Sequence, residues 1–345
     1  MKSKKVLKVL YVLLAVAVGV TVFCFCMATF GGNGAEKESE TVHSETGENG
    51  QEMEEGLANP ADSAVSGDET GSLEAGESQG MSQEKTSSLF DGYVKGSNML
   101  KTEKIDINGV KTIVYFLDNY EKKPIVILQH GLTSKKEDMK DLAGAIANLG
   151  YVVITPDAAG HGELKSKEKV SVIEMVGQTA HNFETVIEYF QGSAYADVER
   201  MGLVGFSLGG LASFSYAGNG SYNPRVVVSL CSTPAFEDLI GEDAAYEFYK
   251  NGKISITKKK EERGALEEEI KSKSPYEKLL ADTDTYFFML CGDADDVVPH
   301  EGNIRFYEAM KDTSKDIKLI VKENQKHEIT EEDLMQVLEY LKGHL

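Results

Sequence analysis

The chain has 345 residues, with 56 Asp+Glu against 36 Lys+Arg and a formal net charge of −20. That balance disfavours a nucleic-acid partner, because a phosphate backbone needs a Lys/Arg surface. The chain has four Cys, and Cys24 and Cys26 fall in an apolar N-terminal run. No disulfide-stapled scaffold fits this usage, and no CxxC pair marks a zinc site.

The first piece is residues 1–30. Lys2, Lys4, Lys5 and Lys8 precede Val9–Phe30, 22 residues without a charge. At 1.5 Å per residue the run is roughly 33 Å long, enough to cross a hydrocarbon core of about 30 Å. A cleaved signal peptide has an apolar region of only about 7–15 residues, although Cys26-Met27-Ala28 gives a weak small-residue cleavage pattern. The run is therefore read as an uncleaved transmembrane signal anchor. The four lysines keep its N-terminus cytoplasmic and place the rest of the chain outside the membrane. If the segment is cleaved, the remainder is secreted.

Residues 31–88 form the second piece. They hold 12 Glu, 10 Gly and 9 Ser, no aromatic residue, and a net charge of −12. Such a segment cannot bury enough apolar surface to offset its chain entropy, so it is expected to be a disordered linker that like charges extend.

The third piece, residues 89–345, is expected to be one folded domain, also with a charge of −12. Strands are predicted at Lys111–Leu117, Ile125–Gln129, Tyr151–Thr155, Met201–Val204, Val226–Leu230, Tyr286–Leu290 and Ile317–Val321. Several are continuous apolar runs, as in a parallel sheet buried on both faces. Helices are predicted at Lys136–Leu149, Val170–Phe190, Leu208–Ala217, Glu301–Met310 and Thr330–Leu341. In the second of these, Val172, Met175, Val176, Phe183, Val186, Ile187 and Phe190 share one face. The alternation predicts an α/β fold with a doubly wound, mostly parallel sheet. Residues 235–284 are too long for a simple connection and are read as a mostly helical cap. Its charged runs, Lys258–Arg263 and Glu267–Glu269, are read as a solvated face.

Gly205-Phe206-Ser207-Leu208-Gly209 follows a predicted strand and opens a predicted helix. At such a turn the glycines are a steric necessity, the serine backbone is strained, and the hydroxyl is presented at the carboxyl end of the sheet. Gly76-Glu77-Ser78-Gln79-Gly80 fits the same pattern but lies in the linker with no strand before it, so Ser207 is the candidate nucleophile. A serine needs a base, and the base needs an orienting carboxylate. Of the seven His, His43 lies in the linker, His344 at the chain end, and His181 away from the apolar stripe of its helix. His130 and His161 precede Ser207. His300 stands at a helix start, where a solvated imidazole is the commoner outcome. His327 lies between the last strand and the last helix and is chosen as the base. In the loop after Tyr286–Leu290, Asp293, Asp295 and Asp296 compete as the acid.

Gly-x-x-Asp-x-Val-Val-Pro, at Gly292–Pro299, resembles the acid loop of the α/β-hydrolase superfamily, and the resemblance aligns Asp295 with the triad acid. It leaves Asp293 as a turn residue and Asp296 as a solvated neighbour. His130-Gly131-Leu132 resembles the His-Gly-x oxyanion loop of that superfamily, particularly its cinnamoyl-esterase-like and serine aminopeptidase-like branches. Asp157-Ala158-Ala159-Gly160-His161-Gly162-Glu163 is similar to its Asp-x-x-Gly-His-Gly loop, read as a turn device. The resemblance covers essentially all of residues 89–345. It implies a serine hydrolase with a Ser207–Asp295–His327 triad and an oxyanion hole formed by the backbone N–H groups of Leu132 and Leu208. Such an enzyme requires no metal or organic cofactor.

The substrate expected is a small-molecule acyl ester. An acylglycerol lipase or lysophospholipase and a prolyl-type peptidase are alternatives on the same fold. Oligopeptidases of that type usually carry a further large domain, and none fits in these residues. An apolar cap face would favour a lipase, and Phe236, Leu239, Ile240, Tyr246, Phe248 and Tyr249 are its candidates. From another class comes a catalytically dead hydrolase fold used as a binding module, disfavoured because all three triad residue types are present. Cys231 and Cys291 end neighbouring predicted strands and are read as buried free thiols rather than a disulfide.

Overall fold

The computed structural model describes residues 98–345 except 120, 166, 282–283 and 313–315. The proposed anchor and linker lie outside the described residues. Among the described residues, no helix is long and apolar enough to cross a membrane.

The described residues start with β1 (Leu100–Ile107), β2 (Val110–Leu117) and β3 (Lys123–Gln129), then a 3₁₀ turn at Lys136–Met139, α1 (Lys140–Asn148) and β4 (Val152–Pro156). A two-residue β5 (Val170–Ser171) leads into α2 (Val172–Phe190), β6 (Ala196–Phe206), α3 (Leu208–Asn219) and β7 (Val226–Leu230). The insertion holds β8 (Glu247–Lys250), β9 (Lys253–Ile256), α4 (Lys260–Lys273) and α5 (Tyr276–Leu280). The chain closes with β10 (Tyr286–Gly292), α6 (Glu301–Met310), β11 (Ile317–Lys322) and α7 (Glu331–His344).

Eight strands form one sheet in the order β1-β2-β4-β3-β6-β7-β10-β11. The β1–β2 and β2–β4 pairings are antiparallel, and the rest are parallel. The continuous apolar runs have a simple cause. In β3, Ile125 and Ile127 enter the core on one face of the sheet, while Val126 and Leu128 enter the core on the other. Successive side chains point to opposite faces, so a strand covered on both sides has no polar positions to spare. The predicted stripe of α2 packs on the first of these cores through Met175, Val176, Phe183, Val186, Ile187 and Phe190. The second core receives Ile146 and Ala147 of α1 and Leu334 and Val337 of α7. Burying each such aliphatic side chain contributes about 1.5–3 kcal/mol.

The structure adds to the expected elements at three points. The strand β1 has an alternating exposed and half-buried pattern, and as an edge strand it lacks the apolar run that marks the others. The helix predicted from Lys136 starts as a 3₁₀ turn, and the α-helix itself begins at Lys140. The cap is not helical alone. Two 3₁₀ turns and the β8–β9 hairpin precede its helices, and β8 also pairs with β5, giving a small sheet in the order β5-β8-β9. The hairpin turns at Asn251-Gly252, both with positive φ, a pair suited to a two-residue turn. On α4 only Leu266 and Ile270 are buried, so its charged residues do form a solvated face. They pair as Lys259–Glu262, Lys271–Glu268 and Lys273–Glu269.

Candidate active site

Ser207 lies between β6 and α3 with φ 53° and ψ −117°. Close packing forces the turn. A Cβ on Gly205 would come within 2.2 Å of the Gly209 carbonyl, and one on Gly209 would lie 2.3 Å from the Gln129 carbonyl oxygen. Only glycines let the start of α3 approach β3 and β6 this closely, and the serine between them takes a conformation an L-residue normally avoids. The Ser207 N–H donates to the Leu230 carbonyl at 2.8 Å, which ties the elbow to β7.

The carboxyl edge of the sheet brings the three predicted triad residues together. His327 Nε2 is 2.8 Å from Ser207 Oγ, and His327 Nδ1 is 2.8 Å from Asp295 Oδ2. Asp295 is held on its other oxygen too, where Oδ1 accepts the Val297 N–H at 2.9 Å and the Val298 N–H at 3.0 Å. Its side chain is fully buried, whereas that of His327 is 15% exposed. The acid is therefore a fixed, desolvated acceptor, and the imidazole reaches solvent. The competing carboxylates do other work. Asp293 Oδ1 accepts the Asn324 N–H at 2.6 Å, tying the loop after β10 to the turn after β11, and Asp296 is exposed. His181 is also exposed, and His300 caps α6 with Glu301 3.8 Å away.

The two loops that follow the neighbouring strands β3 and β4 are stitched together at three points. The Ala158 N–H donates to His130 Nε2 at 3.0 Å, and the Thr133 N–H donates to His161 Nε2 at 3.1 Å. The third stitch is a buried ion pair, Lys136 Nζ to Asp157 Oδ2 at 2.7 Å, with Glu163 also 2.7 Å from the ammonium. Burial opposes the Lys136 charge, but the hydrogen bonds to Asp157 and Glu163 outweigh it and hold the ammonium above its ordinary pKa. Gly162 makes room for that pair. Its φ is +52°, and a Cβ there would overlap the Asp157 carboxylate at 2.1–2.2 Å.

Both loop histidines must be neutral to work this way. In each, Nδ1–H donates to a carbonyl, Gly131 for His130 and Ala159 for His161, and leaves Nε2 as acceptor. Burial drives the His130 pKa down to about 4 and lowers that of His161. The Asp-x-x-Gly-His-Gly loop is thus more than a turn device, because it holds the loop that carries Leu132. A usable signal was present: loops after adjacent parallel strands meet at the carboxyl edge of the sheet.

The predicted oxyanion donors flank the nucleophile. Leu208 is the first residue of α3, where the helix's own ladder leaves the N–H groups without acceptors. Leu132 follows Gly131, whose added Cβ would lie 3.3 Å from the Ser207 Cβ. Thr133, next in the loop, has a φ of 68°.

Cys231 also lies beside the triad, which the sequence reading did not anticipate. Its sulfur, Asp295 and His327 offer donor atoms within 4.8 Å of one another, the arrangement a metal ion would use. Those donors are already committed: both His327 nitrogens serve the triad, and the Cys231 thiol faces the Glu328 carbonyl at 3.3 Å. Burial, reinforced by Asp295, pushes the Cys231 thiol well above its ordinary range, so a thiolate ligand is disfavoured. Cys291 is pushed up to about 12, again chiefly by burial. Both cysteines are free and buried.

The cap touches the catalytic loops through Tyr249, whose ring stacks on His161 with 4.4 Å between centroids. The apolar cap residues singled out for a lipase surface are packed inward and do not form an exposed apolar face. Phe236, Leu239, Tyr246 and Tyr249 are buried in the main core, with Ile240 and Phe248 packed against it.

This sheet and this constellation belong to a serine hydrolase of α/β-hydrolase architecture. Residues 141–345 match the prolyl oligopeptidase family, and the chain belongs to that family. The Bacillus subtilis protein YitV, described as an esterase, is 24% identical over 263 residues, 72% of this chain and 100% of its own length. An Aspergillus oryzae protein described as a dipeptidyl-aminopeptidase B is 38% identical over 96 residues, which is 26% of this chain but 11% of that protein. Among solved structures, TT1662 from Thermus thermophilus superposes with a TM-score of 0.53 at 20% identity, covering 71% of this chain and 98% of its own. Est1E from Butyrivibrio proteoclasticus, solved with ferulic acid bound, gives 0.51 at 20% identity, with 70% and 96% covered. These structures share the fold.

Proposed function

We propose that this chain is a carboxylesterase-type serine hydrolase that cleaves acyl esters through a Ser207 acyl-enzyme. The observation that carries this reading is the unbroken pair of 2.8 Å contacts from Asp295 through His327 to Ser207. With Nδ1–H donated to Asp295, His327 Nε2 takes the Ser207 proton as Oγ attacks the ester carbonyl. The Leu132 and Leu208 N–H groups hold the oxyanion as it forms, and such a donor is typically worth about 3–4 kcal/mol in the transition state. The imidazolium then protonates the departing alkoxide, and water releases the acyl group by the same path in reverse. Asp295, fixed by two backbone donors, keeps the tautomer and stabilises the imidazolium.

Ester rather than peptide specificity is supported by the whole-length match to YitV, described as an esterase, against an 11% span of the dipeptidyl-aminopeptidase relative. Membership of the prolyl oligopeptidase family favours a second reading, cleavage of aminoacyl amides. A panel of nitrophenyl acyl esters of varied chain length and aminoacyl nitroanilides decides between them. The esterase reading expects turnover of the esters and little of the anilides, and the reverse order overturns it. A fluorophosphonate probe that fails to label Ser207 in folded protein would instead favour a binding module. The 22-residue uncharged run after four lysines supports placing the enzyme at a membrane, tethered outside it by the acidic linker. Protease accessibility of the domain on intact cells tests this placement.

A further inference from the structure

The cap hairpin turns one of its faces toward the catalytic loops. In its antiparallel pairing Tyr249 lies opposite Ile254, and Glu247 opposite Ile256. Residues opposite one another, and residues two apart along a strand, share a face, so these four side chains lie together. Tyr249 orients them, because its ring stacks on His161, which in turn accepts the Thr133 N–H beside Leu132. Phe248, on the opposite face, sits under the Lys169 ammonium 3.7 Å away. On the shared face Tyr249 is buried and Glu247 half-buried, while Ile254 and Ile256 are 41% and 40% exposed.

Glu247 stands out on this face. Among the described residues, no hydrogen bond or ion pair reaches its carboxylate. Burial raises its pKa, and Asp243 pushes the same way. The charge of His327 acts against both. A partly desolvated carboxylate with no counter-charge, on the face whose tyrosine stacks on His161, is poised to receive a cation. The charge of −12 on residues 89–345 favours approach of cationic substrates in the same sense.

We infer that the hairpin face is a substrate subsite for esters that carry a cationic nitrogen next to an aliphatic group, Glu247 receiving the cation and Ile254 and Ile256 the aliphatic part. This inference rests on the ester-hydrolase reading above. Choline esters and 3,3-dimethylbutyl esters of the same short acid test it, since the pair is isosteric and differs in one charge. Hydrolysis is followed with the full chain, and the ratio of kcat/KM values is compared, so that any general loss of activity cancels. The wild type is expected to favour the choline ester by about tenfold. Glu247→Gln is expected to bring the ratio near one, and Glu247→Lys to invert it, whereas Glu188→Gln, a charge change on the exposed side of α2, leaves it as it was. A wild-type ratio near one, or a Glu247→Gln ratio equal to the wild-type value, overturns the subsite and leaves the esterase standing. Hydrolysis of neither ester by protein that still labels at Ser207 overturns the ester-hydrolase reading, and the subsite falls with it.

Discussion

The carboxyl edge of the sheet and the cap hairpin that leans on it are built to opposite specifications. At the sheet edge every functional group is held from several directions. Asp295 accepts two backbone N–H groups and His327, Ser207 is locked by glycines with no room for a Cβ, and His130 and His161 each bond through both ring nitrogens. The hairpin makes one ring stack with this framework and leaves a carboxylate and two isoleucines uncommitted. Chemistry needs groups fixed before substrate arrives, because donors that must reorganise lose their advantage. Selectivity needs groups that remain free to be satisfied by the substrate.

If that contrast holds, removing a group from the sheet edge should cost far more than removing one from the cap. Ser207→Ala is expected to abolish fluorophosphonate labelling and lower kcat on a nitrophenyl ester by about 10⁵–10⁶-fold, with an unchanged melting temperature. Hydrolysis at the wild-type rate would end the triad assignment. Asp295→Asn should preserve the geometry but favour the wrong His327 tautomer, lowering kcat by about 10⁴-fold. The same loss from Asp293→Asn instead would move the acid.

Stability should show the same hierarchy. Asp157→Asn takes a charge from the buried pair with Lys136 and should cost about 3 kcal/mol in urea denaturation, near the low end for a broken buried pair because Glu163 still faces the ammonium. The loop histidines predict a pH dependence of known sign. The unfolded chain protonates His130 near its ordinary value of 6.5, and the folded chain only near 4. Between those values the unfolded state binds more protons, so stability is complete above about pH 6.5 and falls as pH drops toward 4, by a total of order 3 kcal/mol. His161 adds to the same trend. Urea midpoints that stay level from pH 7 to pH 4.5 would refute it. On the cap side, Tyr249→Leu keeps a buried apolar side chain but removes the ring stacked on His161, and is expected to lower kcat by about tenfold at a stability cost of about 1–2 kcal/mol. A loss comparable to that of Asp295→Asn would erase the distinction between the two regions.

Most of the sheet could be read from sequence, because strands buried on both faces must be apolar throughout. Val226–Leu230 and Glu301–Met310 have the same bounds in the sequence reading and in the structure. The edge strand β1 escaped, since half of it faces water. The cap hairpin escaped because Glu247–Lys250 and Lys253–Ile256 are too short and too mixed in composition to show a period. In the site, Ser207 and His327 were legible from local pattern and chain order. Asp295 needed the resemblance, because three carboxylates within four residues offer the same chemistry until a backbone conformation selects one.

By itself the sequence determined which side chains can do chemistry and which segments must be buried, since both follow from composition over a few neighbouring residues. The tertiary structure alone decided how separate segments meet. It set Cys231 beside Asp295 and His327, bonded His161 to the Thr133 N–H in the loop after β3, and stacked Tyr249 of the hairpin on His161. These relations join residues tens of positions apart through strand order, register and strand face, and no local pattern encodes them.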